Sequence, residues 1–317
     1  MAAPLAPVPD DLPEGDVLAD TIGVPVDGIP GRSTLVLGHQ WRVMYVFGGI
    51  TMATALRAIE VELARPDLRL VTADATFCAA VPAGPVAVQV EVLRQGRAGA
   101  QAQARLWRLP DDGDGEGVPD ADAVGTLRGP ARADLVVNAV YGRDRDLDVT
   151  VRGMTLPADA GNPDDVAARS ADPERPNPFD NIPYHRQTDF RMTVGQPPWD
   201  LDEGPHEPRT VSWFRFRRPP LLADGTWDRS CLAVPGDVLG PAVTQGIGRR
   251  EEFHLIITLQ MSMQFFAPMV GDWVCQQTRC TEASHGFAAG TAELFRPDGA
   301  LVAMATQSAM LQPFPAS

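Results

Sequence analysis

The sequence predicts an α+β protein in which one unit, a long helix followed by a strongly curved antiparallel sheet, is used twice. Three observations point there. The order of elements repeats along the chain, small residues recur at a constant spacing, and a Pro- and Asp-rich stretch separates the two runs. With 317 residues and 44% hydrophobic content, the chain has enough apolar material for two ordinary cores.

Residues 1–33 are rich in Pro, Asp and Gly and read as a leader that wraps the surface. The first unit is expected over 34–130. Within it, "GGITMATALRAIEVELA" (48–64) spaces its apolar residues at three and four positions and stops before Pro66, which predicts a helix. "LRLVTADATFCAAVPAG" and "PVAVQVEVLRQGRAGAQAQARLWR" follow as strands. Over 131–185 turn composition dominates, interrupted by the apolar "ADLVVNAVYG", and a connection of this length is expected to link domains. The second unit, 186–317, opens with the alternating strands "DFRMTVG" and "RTVSWFRFRRPP". It continues with "CLAVPGDVLGPAVTQGIG" (231–248) as its helix and closes with the strands "FHLIITLQMSMQFFAP", "DWVCQQTRCTEASHGFAAGTAELFR" and "LVAMATQSAML".

The repeat can be aligned within the chain. Gly49 pairs with Gly236, Ala55 with Ala242, Gly84 with Gly271 and Gly99 with Gly286, all at one offset (236 − 49 = 271 − 84 = 187). A one-residue slip pairs "LWR" at 106–108 with "LFR" at 294–296, and another pairs Thr72 with Thr258. Each helix would hide its apolar face in its concave sheet, and the two sheets would join edge to edge. That arrangement is a double hotdog, an internal pseudo-dimer.

Composition excludes several functions. A formal charge of −14 and a pI near 4.7 argue against nucleic acid as the main partner, which would need a basic face. Every basic residue other than histidine is Arg, so no lysine Schiff base and no P-loop lysine can be built. Cys78, Cys231, Cys275 and Cys280 lack CxxC spacing and read as free core thiols. His39, His185, His206, His254 and His285 share no metal-ligand spacing, so neither metal nor cofactor is expected. The N-terminus has no signal-peptide pattern and no apolar run is long enough to span a bilayer, which predicts a cytoplasmic protein.

Asp237 is the one charged residue in 231–248. Burying an unpaired carboxylate is costly, so it must be paired, exposed or functional. Read alone, an Asp after Gly is a helix cap. The internal alignment puts Ile50 at its place in the first unit, so the fold itself does not demand an acid there.

"VFGGITMATAL", "PGDVLGPAV", "IITLQMSMQFFAP" and "DGALVAMATQSAML" resemble the acyl-CoA thioesterase II family over roughly residues 35–110 and 186–312. The resemblance implies a double-hotdog enzyme that hydrolyses acyl-CoA. It also implies a water-holding set of carboxylate, Thr and Gln, which falls here on Asp237, Thr258 and Gln307. The sequence departs from the family at Gln260 and Met261, at Gln264 and Phe266, and at Ser308 and Gln312, positions that bear on the acyl tunnel more than on the water.

On this reading Asp237 is the general base or a nucleophile, and partial burial raises its pKa. Thr258 and Gln307 are its neutral orienters. Backbone N–H groups of "VPG", Gly236 and Asp237 itself, are expected at a helix start facing the thioester oxygen. One site per chain follows. Arg217, Arg218, Arg249 and Arg250 are either solvated surface or contacts to the phosphates of coenzyme A. Two other readings stay open: a non-catalytic acyl-CoA or acyl-carrier binding module, and a hotdog enoyl-thioester hydratase. The hydratase suffers because "GDVLGP" lacks the His such an enzyme needs. The expected partner is an acyl-thioester substrate, with no membrane and no nucleic acid, and sheets of this kind also pair into homo-oligomers.

Overall fold

Alternating apolar residues produce strands here in two matching series. The computed structural model describes residues 12–110, 132–166, 181–197, 201, 204–248 and 254–313. The first series comprises α1 (Val17–Asp20), β1 (Val24–Pro25), β2 (Arg32–Leu37), α2 (Gly48–Leu63), β3 (Arg69–Phe77), β4 (Gly84–Gln95), β5 (Gly99–Arg108) and β6 (Leu135–Gly142). The second comprises α3 (Pro183–Gln187), β7 (Thr188–Val194), β8 (Arg209–Phe216), α4 (Ala233–Gly236), α5 (Leu239–Ile247), β9 (His254–Phe265), β10 (Val274–Ser284), β11 (Phe287–Phe295) and β12 (Leu301–Pro313).

All the strands form one 12-stranded sheet in the order β1-β2-β4-β5-β6-β3-β9-β12-β11-β10-β8-β7. Read outward from the β3–β9 seam, each half repeats the other, and every pairing is antiparallel. Bulges fix the equivalence of the halves. Leu259 bulges from β9 as Val71 does from β3, and Thr281 from β10 as Leu93 does from β4, so 259 − 71 = 281 − 93 = 188. At the seam Asp74 faces Ser262, its own counterpart at that spacing, which puts the pseudo-twofold between them. The tandem hotdog expectation therefore holds, with the strands offset by 188 as "LWR" and "LFR" indicated. The counterpart of Thr258 is Leu70 and not Thr72, which faces the other side of the sheet and donates its hydroxyl to the Met263 carbonyl (2.8 Å).

The α2 helix ends at Ala64, whose left-handed φ of 47° closes it just ahead of Pro66. Ile50, Met52, Ala53, Ala55, Leu56 and Ile59 are all fully buried, because one side of α2 packs on β4, β5 and β6 and the other on the helical segment Arg229–Gly236. The two cross closely at Gly49, where a Cβ would lie 2.5 Å from the Val234 Cα. Two turns along α2, Arg57 pairs with the buried Asp228 that caps the same segment.

Three expectations change. The segment 131–185 is not all linker, since its "LVVNAVYG" is β6, hydrogen-bonded between β5 and β3. Part of the 1–33 leader is ordered into the fold: Asp20 accepts from the Trp41 indole (2.8 Å), and β1 pairs with β2. Cys231, Cys275 and Cys280 are buried free thiols, but Cys78 is exposed because it lies just past the end of β3. No helix among the described residues is long and apolar enough to cross a membrane.

Candidate active site

Where the second half repeats the helix of the first, the helix breaks. Pro241 explains the break: its ring would strike the carbonyl four residues back, at Asp237, in a continuous helix. The α4 helix therefore stops at Gly236, Asp237 turns out at φ −87° and ψ 68°, and α5 starts at Leu239 with Pro241 in its first turn. The first half has no proline in α2, which is unbroken through Ile50.

Thr258 reaches the site because of a bulge. Met261, Met263 and Phe265 alternate inward along β9, and a regular strand would point residue 258 outward. The unpaired Leu259 shifts the phase by one, so Thr258 joins the inner face opposite Ala309. Gln307, on β12 opposite Met261, faces the same way and is only 4% exposed.

The structure brings these three residues together. Asp237 Oδ1 accepts from Thr258 Oγ1 (2.8 Å) and from Gln307 Nε2 (2.6 Å), and that same Gln307 nitrogen lies 3.3 Å from Thr258 Oγ1. Gln307 Oε1 accepts from the Val238 and Leu239 N–H groups at the start of α5 (3.2 and 3.0 Å), which fixes the direction of its amide. Gln307 thus ties the Asp237 carboxylate to the start of α5.

A fourth member went unseen in the sequence. Asp237 Oδ2 accepts from the Gly49 N–H (3.0 Å) at the beginning of α2, so the first half supplies a donor and the positive end of a 16-residue helix. A backbone N–H carries no residue-type signature, and the only clue was the glycine pair. Gly48 matters too, since a Cβ there would lie 2.5 Å from Oδ2 and 3.2 Å from the Phe77 ring.

The expected donor role of Gly236 is not met. Gly236 is the last residue of α4 and not the start of a helix, and the Asp237 N–H is spent on the Ala233 and Val234 carbonyls (3.1 and 3.3 Å). Gly236 instead gives close packing, because a Cβ would come within 2.7 Å of Met263 Cε.

Asp237 is partly exposed by surface area yet enclosed by protein on most sides, and this desolvation raises its pKa above the usual carboxylate value. The bonds from Thr258, Gln307 and Gly49 pull the other way and do not overcome it. A cavity of about 380 Å³ between residues 23–33 and the outer side of α2 does not include Asp237. No cluster of metal-ligating side chains occurs among the described residues. Of the four arginines considered for phosphate contact, Arg217 and Arg218 are exposed, with Arg218 paired to Asp16 (2.9 Å), while Arg249 and Arg250 lie outside the described residues.

Comparison with known proteins agrees with this fold. Residues 38–126 match the acyl-CoA thioesterase N-terminal domain and residues 163–311 the acyl-CoA thioesterase C-terminal domain. Among solved structures, a hot dog fold protein from Alicyclobacillus acidocaldarius is 21% identical, with a TM-score of 0.71, over 95% of this chain and 100% of its own. The acyl-CoA thioesterase II TesB2 of Mycobacterium marinum is 18% identical, with a TM-score of 0.65, over 95% and 99%. The tesB protein of Mycobacterium avium subsp. paratuberculosis is 17% identical, with a TM-score of 0.66, over 95% and 100%. No curated protein matches the chain. With both halves matched by its domains, the chain belongs to the acyl-CoA thioesterase family and is a tandem-hotdog thioesterase.

Proposed function

We propose that the protein hydrolyses acyl-CoA, or a related acyl thioester, with water activated at Asp237. One observation carries the reading: a carboxylate with raised pKa is held by three neutral donors, two on Oδ1 and one on Oδ2. Oδ2 keeps a lone pair for a water proton, and the raised pKa makes it a stronger base near neutral pH.

The water oxygen attacks the thioester carbonyl carbon as its proton passes to Asp237. The tetrahedral oxyanion then collapses, the C–S bond breaks, and the thiolate leaves as thiol with the proton from Asp237. Acid and thiol result, and the carboxylate is restored. The donor for the oxyanion is the first turn of α2, in place of Gly236. Gly48 lies beside Oδ2, and its N–H donates to no group among the described residues.

The test is thiol release from acyl-CoAs of graded chain length by wild type and Asp237→Asn. General-base catalysis contributes about 10²–10⁴-fold, so the variant should lose rate on that scale with binding retained. An undiminished rate would exclude Asp237 as the base. Binding of every ester with turnover of none, by the wild type, would make the protein a binding module instead.

A further inference from the structure

A broken helix inside a protein leaves backbone groups that must find partners. At this break, Pro235 and Gly236 are buried on one side and Leu239 on the other. Two glutamines from the sheet meet the need. Gln307 accepts from the N–H groups of Val238 and Leu239 after the break. Before it, Gln276 on β10 donates its Nε2 to the Pro235 carbonyl (2.7 Å). Gln276 is 1% exposed, and its Oε1 accepts from Ser212 Oγ (3.1 Å) on β8, directly across the ladder. The amide is therefore held from both ends.

The first half is an internal control. At the spacing of 188, Gln276 corresponds to Val88, which faces Leu106 as Gln276 faces Leu294. Gln307, opposite Met261, corresponds to Ala139, opposite Ala73. Val88 and Ala139 are buried under the unbroken α2 and have no broken backbone to serve. Both glutamines occur only in the half where the helix is interrupted.

We propose that Gln276, locked by Ser212, is a positioning residue of the hydrolytic site. It touches neither Asp237 nor substrate, and it acts by pinning the end of α4, from which Asp237 turns toward Thr258, Gln307 and Gly49. This rests on Asp237 being the base.

The experiment compares Gln276→Met, which keeps the size and removes the donor, with Ser212→Ala, which frees the amide but leaves the core filled. The measurements are kcat and KM for acyl-CoA hydrolysis, the pH profile of kcat/KM, and thermal unfolding. A displacement of about 1 Å in a reacting group costs on the order of 10²-fold. Gln276→Met should therefore lower kcat by roughly 10- to 100-fold with KM nearly unchanged, and Ser212→Ala should do so more mildly. A misplaced Asp237 loses donors that hold its pKa down, so the acid limb should move to higher pH in both variants. If the folded variants keep the wild-type kcat and acid limb, or lose activity only in proportion to the unfolded fraction, Gln276 is structural and the proposal fails. Failure of the underlying reading looks different, because Asp237→Asn would then hydrolyse at the wild-type rate whatever Gln276 does.

Discussion

Desolvation makes Asp237 a better base and a worse contributor to stability. Its pKa is raised in the fold, so ionising it opposes folding. The cost is absent below the ordinary carboxylate pKa near 4, grows as pH rises toward the folded value, and stays constant above it. Glu60 behaves alike: burial and the nearby Asp228 push it up to about 8 against the pull of Arg57. Wild type should therefore lose thermal stability relative to Asp237→Asn as pH rises from 4, and relative to Glu60→Gln up to about pH 8. Melting curves at pH 4, 5.5, 7 and 8.5 check this, and curves running parallel to wild type would contradict it. Asp237 stands out in the sequence as an acid among apolar residues and Gln307 as a Gln in an apolar strand, whereas Thr258 is picked out by the resemblance of "IITLQMSMQFFAP" to the thioesterase family, which joins the three. Gly49 could not be picked out, since it acts through its backbone from 188 residues away. Gln276 was equally hidden, because nothing in "VCQQTRC" tells which Gln faces inward.

At the level of elements, helices and strands could be read from periodicity, but the irregularities that build the site could not. The helix break was encoded in "DVLGP", where Pro241 falls four residues after Asp237, yet the repeat suggested a continuous helix like α2. The bulge at Leu259 has no local signature, and without it Thr258 would face away from the site. The crossing of α2 over α4 gives a direct test. In an isolated helix Gly49→Ala would gain about 1 kcal/mol of propensity. Here the new Cβ would sit 2.5 Å from the Ala233 carbonyl oxygen and from the Val234 Cα, backbone atoms that cannot rotate aside. The clash should outweigh the propensity, giving a net loss of about 1–3 kcal/mol, as in overpacked cores, together with reduced turnover as the Gly49 N–H leaves Asp237. Denaturant midpoints and kcat on the same preparation decide it, and a stabilised variant with full activity would refute the crossing.

On the scale of the whole molecule, the duplication accounts for a single proposed site that draws on both halves. The first-half counterparts of Thr258 and Gln307 are Leu70 and Ala139, 1% and 3% exposed, so no second set of orienters exists there. Yet the first half is more than a wall. It provides the Gly49 N–H, the α2 terminus beside Asp237, and through β3 the partner strand that covers the edge of β9. Residues 143–155 are exposed, whereas Asp159 and Ala160 already bond to Arg209 and Trp213 of the second half, so the chain divides most naturally at 150/151. Chain 151–317 carries Asp237, Thr258 and Gln307 but should show no thioester hydrolysis by itself, and chain 1–150 should show none. Produced together, they should re-form the β3–β9 seam and recover turnover with one active centre per pair. Thiol release assayed on each chain and on the mixture tests this, and turnover by 151–317 alone near the intact rate would mean that Asp237 works without the α2 terminus.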